Sequence, residues 1–539
     1  MKSLTMESQL TLRPLFERAG RLFSNRPIVW RRPDRTVARH TYAEFQARTG
    51  QLANALSRLG LEPGDRIATL AWNHGRHLEA YFAVPLAGFV LHTLNPRLSP
   101  EDLAFIVNDA QDRVLIVDEV LLPILARFRD RIDVSKIIVW SDGAKLAEDM
   151  TDYEAFIAGE STSFTPGPID ENDAAGLCYT SGTTGKPKGV LYSHRAIVLH
   201  SLVSAMPDAF GLGQHDVVMP VVPMFHVNAW GLPFTSVAVG AGLVFPGPHL
   251  DAASLLDLAA AEHVTFTAGV PTVWHAVLDA LDREPSRWDL GSLTTLVVGG
   301  SAMPQSSIEA FEKRHGLEIV HAWGMTELAP IGTISRLKPH METAPEAERL
   351  RARATQGLPA PLIEVRAIGE DGPVPADGKT MGELQVRGPW VASGYLNQPC
   401  GPDKFTEDGW FRTGDVVTFD PEGYMRIADR KKDLIKSGGE WISSIDLENA
   451  AVGHPDVAEA AAIAVPHPKW QERPVLIVVL KPGAKLTREE MLRYLGDKVA
   501  KWSLPDDVVF VPELPHTATG KLLKSKLREQ FRNHHLQSA

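Results

Sequence analysis

Residues 179–190 read Tyr-Thr-Ser-Gly-Thr-Thr-Gly-Lys-Pro-Lys-Gly-Val, and this stretch decides the fold. It stands between two apolar runs, Ala174–Tyr179 and Val190–Tyr192, so we predict a loop between two strands. Its glycines let backbone N–H groups converge on an anion, its hydroxyls add donors and its lysines add positive charge. The residues expected to hold a polyphosphate are Thr180, Ser181, Gly182, Thr183, Thr184, Gly185, Lys186 and Lys188.

Two other interpretations of this loop are possible. A flexible linker rich in Gly, Ser and Thr would have a similar composition, but it has little use for two lysines beside Pro187. The loop also differs from the nucleotide-kinase loop G-x-x-x-x-G-K-[ST], because only two residues separate Gly182 from Gly185. In addition, Pro187 stands where the Mg²⁺-binding hydroxyl should be. We therefore expect a phosphate-binding loop of another class.

Helices and buried strands alternate on both sides of this loop. Thr41 and Glu44 have the spacing of a capping box, and Ser99 followed by proline marks a second helix start. This alternation predicts an α/β fold, with a large N-terminal domain of mostly parallel sheets. The predicted strands are apolar runs rich in β-branched residues at Val114–Val117, Ile137–Trp140, Val264–Thr267 and Leu296–Val298.

A change of composition predicts a domain boundary. The charge run Asp429–Asp433 is followed by a segment patterned as helix, strand, strand, helix, strand. We predict a large domain over residues 1–428, a hinge over 429–433 and a small α+β domain over 434–539. The last segment is long enough to fold around a core of its own.

The composition excludes several classes of protein. The chain has 539 residues, 44% of them hydrophobic and 22% charged, which excludes disorder, collagen and coiled coil as overall descriptions. A net charge of -11 would repel a phosphate backbone, so nucleic acid is not expected as a partner. Cys178 and Cys400 are the only cysteines, and the N-terminus lacks the pattern of a secretory signal, which together predict a cytoplasmic location.

One long segment lacks charge. Val217–Leu250 contains no Asp, Glu, Lys or Arg. Its prolines and glycines divide it into pieces shorter than the roughly 20 apolar residues that span a bilayer. We therefore predict no membrane span, and instead buried core that lies beside a cavity.

Five short motifs occur in an order typical of one family. The chain resembles the adenylate-forming acyl-CoA synthetases, whose fold adds a distorted barrel to the large domain and makes the small domain mobile. Residues 321–330 (HAWGMTELAP) and 437–448 (SGGEWISSIDLE) are most similar to the medium-chain branch, including the methylmercaptopropionate-CoA ligases. The five motifs are residues 179–190, Trp323–Glu327, Phe411–Asp415, Asp429–Asp433 and Thr517–Lys521.

The resemblance implies an AMP-forming acid–thiol ligase whose large domain binds AMP. Because a carboxylate is a poor electrophile, such enzymes convert it with ATP into an acyl-adenylate and pyrophosphate, and then transfer the acyl group to CoA. Donors aimed at the charge that develops on the α-phosphate are the largest expected contribution. By resemblance, Thr326 contacts the α-phosphate and Glu327 and Thr183 bind Mg²⁺. Lys521 pairs with the reacting carboxylate and phosphate.

The resemblance also assigns the nucleotide site and the moving domain. Asp415 would accept both ribose hydroxyls, with Arg430 close by, and Lys432 falls on the hinge position. In one orientation Lys521 reaches the cleft, and after rotation a different face of the small domain borders the pantetheine tunnel. That second face comprises Gly438, Gly439, Glu440 and Trp441. The adenine pocket is expected from Gly300, Ser301, Ala302, His321, Ala322 and Trp323.

An acyl pocket is expected beside the nucleotide. His226 matches the aromatic or histidine gate of the family, and Gly299 is expected at the same cavity. Trp230 and Trp323 would bring large rings towards it, so we expect a short pocket that takes short- to medium-chain acids rather than long-chain acids. A thioether and a methylene differ too little for the sequence to separate 3-methylmercaptopropionate from a fatty acid.

Three other functions share parts of this pattern. An adenylation domain of a peptide synthetase is disfavoured because no carrier-accepting serine module follows Lys521. A luciferase-type oxygenase would share every motif. A non-catalytic nucleotide-binding protein would need neither a mobile Lys521 nor a metal carboxylate at Glu327. The oligomeric state is left open, with a homodimer as the assembly to test.

Overall fold

The chain is a mixed α/β protein. The computed structural model describes residues 1, 3–143, 145–180, 186–438, 440–516, 522–532 and 534, with only the backbone at Glu440. The strands in chain order are β1 (Pro27–Arg31), β2 (Val37–Thr41), β3 (Arg66–Leu70), β4 (Val90–Leu94), β5 (Asp112–Asp118), β6 (Lys136–Trp140), β7 (Met150–Asp152), β8 (Ala174–Tyr179), β9 (Gly189–Ser193), β10 (Val217–Pro220), β11 (Gly242–Phe245), β12 (Phe266–Gly269), β13 (Thr295–Val298), β14 (Glu318–Gly324), β15 (Ile331–Ile334), β16 (Leu358–Pro359), β17 (Glu364–Gly369), β18 (Gly372–Pro373), β19 (Gly382–Arg387), β20 (Phe411–Phe419), β21 (Met425–Arg430), β22 (Ile435–Ser437), β23 (Glu440–Ile442), β24 (Val457–His467), β25 (Gln471–Leu480) and β26 (Asp507–Phe510). The helices are α1 (Leu12–Leu22), α2 (Tyr42–Ser57), α3 (Gly75–Leu86), α4 (Pro100–Ala110), α5 (Leu122–Leu125), α6 (Tyr153–Ile157), α7 (His194–Ala205), α8 (Val227–Trp230), α9 (Leu232–Val239), α10 (Ala252–Ala261), α11 (Pro271–Arg283), α12 (Gln305–His315), α13 (Glu346–Ala354), α14 (Ser444–Val452), α15 (Arg488–Gly496) and α16 (Lys524–Gln530).

One sheet carries the phosphate loop at its edge. Its strand order is β7-β6-β5-β3-β4-β8-β9. Among the described residues of this sheet, β8 and β9 form an antiparallel pair and the other neighbouring strands are parallel. β8 and β9 flank the predicted loop as expected, and β5 and β6 contain two of the predicted apolar runs. Helix α2 begins with the predicted capping box between Thr41 and Glu44, and Ser99 caps α4. These local predictions are confirmed.

The second sheet has the order β16-β15-β14-β13-β12-β10-β11-β1-β2, and it is parallel from β14 through to β1. β12 begins at Phe266, two residues later than the run Val264–Thr267 suggested, because a continuous apolar run contains no periodic signal for its own boundary. Helix α3 is buried except at Arg76 and packs in the core that joins this sheet to the first one. The uncharged segment Val217–Leu250 forms buried core, as predicted.

Two smaller sheets complete the fold. An antiparallel sheet with the order β18-β17-β19-β20-β21 stands where the distorted barrel was expected, and it ends at Arg430. After it, β22, β23, β24, β25 and β26 form a separate sheet covered by α14 and α15. The predicted order of helix, strand, strand, helix, strand is present there, preceded by a β22–β23 hairpin that the pattern did not indicate. Within the described residues, the helices are all too short or too polar to cross a bilayer.

Candidate active site

Most of the described residues that the sequence predicted for the site lie around one cavity of about 850 Å³. This cavity extends between the sheet edges of the large domain and the small domain. Its described wall includes, from the predicted set, Thr180, Lys186, Lys188, His226, Trp230, Gly299, Gly300, Ser301, Ala302, His321, Ala322, Trp323, Thr326, Glu327, Asp415, Arg430 and Lys432. Sequence motifs far apart in the chain therefore meet at a single place.

The phosphate loop closes on itself at its base. Thr180 N donates to Lys188 O at 2.9 Å, and Lys188 N donates to Thr180 Oγ1 at 3.2 Å. The Lys186 ammonium lies 4.8 Å from the centre of the Phe105 ring, and the Lys188 ammonium lies 4.9 Å from that of Tyr395. These contacts hold both cations beside the cavity. The remaining predicted loop residues, Ser181, Gly182, Thr183, Thr184 and Gly185, lie outside the described residues.

Two tyrosines that the motifs did not indicate fix the turn containing Glu327. Thr326–Leu328 is a short 3₁₀ turn, and Tyr192 Oη donates to Thr326 O at 2.7 Å. Tyr395 Oη donates to Glu327 Oε1 at 2.6 Å. Burial and the nearby Glu327 charge raise the pKa of Tyr395, so the phenol stays protonated and remains a donor. The Glu327 carboxylate is therefore aimed by Tyr395 while it faces the cavity.

Asp415 is the most enclosed acid of the nucleotide end. It is 1% exposed, and its Oδ2 accepts from Trp323 Nε1 at 2.9 Å. Its Oδ1 lies 2.6 Å from Arg430 Nε, across the register that pairs the two residues on β20 and β21. The Trp323 indole N–H is thus bound to Asp415. The ring also packs over Gly332, where a Cβ would lie 2.3 Å from it.

The predicted adenine wall contains an unsatisfied ring nitrogen. His321 is 1% exposed, and its Nδ1 has no hydrogen-bond partner among the described residues. Burial lowers the pKa of His321 to about 4, so the ring is neutral near neutral pH. A buried polar atom without a partner costs free energy, and a nucleobase with amide-like donors and acceptors would remove that cost. This observation fits the assignment of His321 to an adenine pocket.

The opposite wall is apolar and is built on Trp230. The indole is 8% exposed and lies against Gly299, where a Cβ would be 3.0 Å from Cη2 of Trp230 and 3.1 Å from Ala322 O. Glycine at 299 therefore allows the ring to lie flat against the strand end. His226 lines the same cavity. Of the two predicted tryptophans, Trp230 faces this apolar side, whereas Trp323 is bound to Asp415 at the nucleotide side.

Trp230 is presented by an uncommon backbone conformation. Val227, Asn228, Ala229 and Trp230 all have positive φ, between 46° and 57°, and Gly231 continues the turn at φ 75°. L-residues pay about 1–2 kcal/mol each in this left-handed region, so the turn stores several kcal/mol. Such conformations persist only where the surroundings determine them, and they concentrate at ligand sites.

Buried side chains contact this turn and hold the segment that precedes it. Asn228 Oδ1 accepts from Cys178 Sγ at 3.3 Å, and a Cβ at Gly231 would lie 2.6 Å from the His200 ring. Asn73 accepts from Met224 N at 2.6 Å and donates to the carbonyls of Pro220 and Val222 at 2.9 Å each. Tyr81 Oη also donates to Met224 O. Sequence reasoning missed these supports because no local pattern marks them.

The predicted second face of the small domain lies elsewhere. Gly438 and Trp441 belong to the β22–β23 hairpin and are not part of the described cavity wall. Gly438 has φ 61° and is covered by Trp470, whose ring would be 2.6 Å from a Cβ there. Gly439 lies outside the described residues, as does the predicted catalytic Lys521, and the side chain of Glu440 is not described.

Comparison with known proteins gives two family matches. The AMP-binding enzyme family matches residues 16–396, and the AMP-binding enzyme C-terminal domain matches residues 446–521. A long-chain-fatty-acid–CoA ligase from Thermus thermophilus is 50% identical, over 99% of this chain and 98% of its own. A medium-chain-fatty-acid–CoA ligase from Ectopseudomonas oleovorans is 46% identical, over 98% and 97%. A 3-methylmercaptopropionyl-CoA ligase from Ruegeria lacuscaerulensis is 47% identical, over 98% of both chains.

A solved structure shares the whole arrangement. The crystal structure of the anthranilate CoA ligase AuaEII in complex with anthranoyl-AMP superimposes with a TM-score of 0.87, at 25% sequence identity and over 99% of both chains. The similarity covers the small sheet as well as the two large ones.

Proposed function

The chain belongs to the AMP-binding enzyme family, and from this premise we propose that it is an AMP-forming carboxylic acid–CoA ligase acting on short- to medium-chain acids. The observation that carries the proposal is the shared cavity, whose wall combines cationic and carboxylate groups with the apolar surface of Trp230. A nucleotide and an acid bound at these two parts of the wall would meet between them. The relatives named above support the same reaction class.

In the first half-reaction, an oxygen of the acid would attack the α-phosphorus of ATP, and the bond to the pyrophosphate oxygen would break. Lys186 and Lys188 would neutralise the outgoing pyrophosphate, and Thr326 would donate to the α-phosphate. Asp415 would orient the ribose and His321 the adenine. Lys521 would reach the reacting oxygens from the small domain. Each of these roles is a proposal. The cavity wall supports those of the five described residues, and the match to the C-terminal domain family over residues 446–521 supports that of Lys521.

Magnesium fits this site as an ion that arrives with the phosphates. Mg²⁺ commonly binds one or two carboxylates together with substrate phosphates and water. Glu327 supplies one carboxylate, oriented by Tyr395, and no group of three or more His, Cys, Asp or Glu side chains among the described residues could hold an ion alone. The ion would neutralise phosphate charge. Thr183 is the second proposed ligand.

In the second half-reaction, the CoA thiol would attack the acyl carbon, AMP would leave and the thiol proton would pass to solvent. We propose that the small domain rotates about Lys432 between the two steps, with domain limits at 1–428 and 434–539. The rotation would bring the face of Gly438, Gly439, Glu440 and Trp441 to the cavity as the wall of a pantetheine tunnel. Gly438 and Trp441 are outside the described cavity wall, which is what this proposal requires before the rotation.

We propose a range of chain lengths for the acid and, within that range, one candidate substrate. We propose that the Trp230 indole limits the length of the acyl pocket, so that acids of up to about ten carbons are preferred. Each methylene that fits or does not fit in such a pocket changes the binding free energy of the acid by about 1–3 kcal/mol. Within that range we propose 3-methylmercaptopropionate as a candidate substrate, on the 47% identity to the Ruegeria enzyme named for it. The Thermus relative is named for long-chain acids, so a long-chain arm belongs in the test.

The test is to measure acyl-CoA by mass spectrometry after incubation with ATP, Mg²⁺, CoA and one acid at a time. The panel runs from acetate through 3-methylmercaptopropionate and decanoate to hexadecanoate. We expect the highest kcat/KM at or below decanoate, with AMP and pyrophosphate as products. Preference for hexadecanoate would overturn the chain-length limit, and absence of pyrophosphate release with every acid would overturn the reaction class.

Lys521→Ala tests the proposed role of this lysine in the adenylation step. We expect it to lose acid-dependent pyrophosphate release while ATP still binds, because the lysine acts on the reacting oxygens rather than on the nucleotide. Undiminished acyl-CoA production by this variant would remove Lys521 from the proposed mechanism.

We further propose a cytoplasmic location and a homodimer. The first is supported by Cys178 and Cys400, which are both unpaired in the structure. Light scattering of the purified chain tests the second.

A further inference from the structure

Four side chains form a buried polar cluster beside the proposed hinge. We define the hinge cluster as Asp429, Ser444, Glu448 and Lys524. Lys524 Nζ lies 2.7 Å from Glu448 Oε1 and donates to Ser444 Oγ at 2.5 Å. Ser444 donates to Asp429 Oδ2 through both its hydroxyl, at 2.5 Å, and its backbone N–H, at 2.7 Å. One continuous hydrogen-bonded chain therefore runs from Glu448 to Asp429.

The hinge cluster joins the two domains. Asp429 is the first residue of the proposed hinge and belongs to β21, the last strand of the antiparallel sheet of the large domain, whereas Ser444 and Glu448 are on α14 of the small domain. Lys524 comes from α16, at the far end of the sequence. Arg426 on β21 also pairs with Asp446 on α14. The cluster is thus an interdomain contact made by charge, next to Lys432.

The groups of the hinge cluster are buried, so the loss of one charge would leave the others without a partner. Asp429 and Ser444 are 1% and 0% exposed, and the side chains of Lys524 and Glu448 are 11% and 12% exposed. Burial raises the pKa of Glu448 to about 7. Burial opposes the charge on Lys524, but its pKa is nevertheless raised because Glu448 and Asp429 attract the ammonium. Removing the cation would leave buried carboxylates unbalanced, so the ammonium determines how the two domains fit.

The cluster lies at the base of the loop that carries Lys521. His516 and Leu522 form an antiparallel bridge, and Leu523 N donates to Pro515 O at 2.8 Å. These contacts close the loop, and His516, Leu522 and Lys524 all line the cavity. Lys524 follows Lys521 by three residues, so the anchored α16 start sets where that loop can reach.

We propose that Lys524 is a positioning residue for adenylation. By binding Glu448 and, through Ser444, Asp429 on β21, it fixes the start of α16, three residues after Lys521, relative to the large domain. Its ammonium is bound by protein groups, so its proposed effect on the reaction is indirect. The inference rests on the proposed function, because it assigns Lys524 to the first half-reaction. The second half-reaction uses another domain orientation and should not depend on Lys524.

The test separates the two half-reactions in full-length Lys524→Met. Acid-dependent exchange of labelled pyrophosphate into ATP reports adenylation, and acyl-CoA formed from supplied acyl-adenylate and CoA reports thioester formation. A misplacement of about 1 Å can cost about 100-fold in rate, so we expect exchange to fall about tenfold or more. Thioester formation should change by less than about twofold, because Lys521 is not needed there.

Two further variants keep the outcome interpretable. Lys526→Met removes an exposed lysine from the same helix and should leave both rates unchanged. Ser444→Ala removes the hydroxyl that connects Lys524 to Asp429, with little change in volume, and leaves the backbone N–H bond to Asp429 in place. It should show the same selective loss to a smaller extent, and it replaces Lys524→Met if that variant does not fold. Lys524→Arg should recover part of the exchange rate, because it restores the charge.

The inference is overturned if exchange is unchanged in Lys524→Met or if both half-reactions fall equally together with the melting temperature, which indicates a structural role. If the wild-type protein shows no exchange with any acid, the proposed function fails instead. The two failures are therefore distinguishable in one set of measurements.

Discussion

The two ends of the cavity are held by different kinds of interaction. At the proposed acyl end, Trp230 belongs to a left-handed turn in which Asn228 accepts from Cys178, and Asn73 holds the segment before the turn; these three side chains are neutral and buried. At the nucleotide and hinge end, Asp415 and the hinge cluster are fixed by ion pairs. One end is supported by shape and neutral hydrogen bonds, the other by charge.

This difference matches what each end would bind. An apolar acyl chain is selected by volume, and a wall held by neutral groups keeps the same shape whatever the pH. A nucleotide and a moving domain require contacts that are strong and directional, which charge-assisted hydrogen bonds provide. We therefore expect changes at the acyl end to alter which acid is used, and changes at the ionic end to alter how fast ATP is used.

The largest expected effect is that of Asp415→Ala at the ionic end. A hydrogen bond to a charged group is worth about 1.5–3 kcal/mol, and Asp415 is proposed to accept one from each ribose hydroxyl, so kcat/KM for ATP should fall by about 100-fold or more. The ranking of acids should stay the same, since Trp230 is untouched. Initial rates over a range of ATP concentrations, with three acids, check both parts. A changed acid ranking with normal ATP use would contradict the division between the two ends.

A second effect at the ionic end concerns pH. Burial raises the pKa of Glu448 from 4.5 to about 7, so the folded state binds a proton that the unfolded state releases above pH 4.5. This group therefore destabilises the fold as pH rises, and the cost is complete above about pH 7. Between pH 5 and 8 it should lower the free energy of unfolding by about 2 kcal/mol.

The matched variant for the pH effect is Glu448→Gln, which keeps an acceptor for Lys524 but cannot titrate. Urea unfolding at pH 5, 6.5 and 8 should show a smaller decline for this variant than for the wild-type protein. Equal slopes would mean that Glu448 titrates normally and that the hinge cluster is less enclosed than its contacts indicate.

At the acyl end, Trp230→Ala should change selectivity by about tenfold. Removing the indole enlarges the pocket by several methylenes, so the ratio of kcat/KM for decanoate to that for butyrate should rise by about this factor. The KM for ATP should be unchanged. Trp288→Ala, which truncates an indole bound to Asp257 away from the cavity, is the control. An unchanged chain-length ranking would remove Trp230 from the acyl wall.

Motifs in the sequence indicated the groups that line the cavity better than the groups that support them. Thr180, Glu327 and Asp415 come from separate motifs and meet at one cavity, because each motif has a local composition that can be recognised. Tyr395 and Lys524 could not be predicted. Each acts on a residue distant in sequence, and neither lies in a periodic or glycine-rich pattern. Strand limits such as that of β12 were also uncertain, since buried parallel strands lack alternation.

The smallest expected effect, and the sharpest test of the comparison, is that of Asn228→Ala. The alanine removes the acceptor of the Cys178 thiol and leaves the left-handed turn with less support, so Trp230 should move without being lost. We expect the decanoate-to-butyrate ratio to rise by about threefold, in the direction of Trp230→Ala, because part of the strain of roughly 1–2 kcal/mol per residue would be released. Cys178→Ser, which keeps a donor, should change selectivity less than Cys178→Val, which does not. If Asn228→Ala instead lowered ATP use and kept the acid ranking, the turn would belong to the ionic end, and neutral support of the acyl wall would be the wrong description.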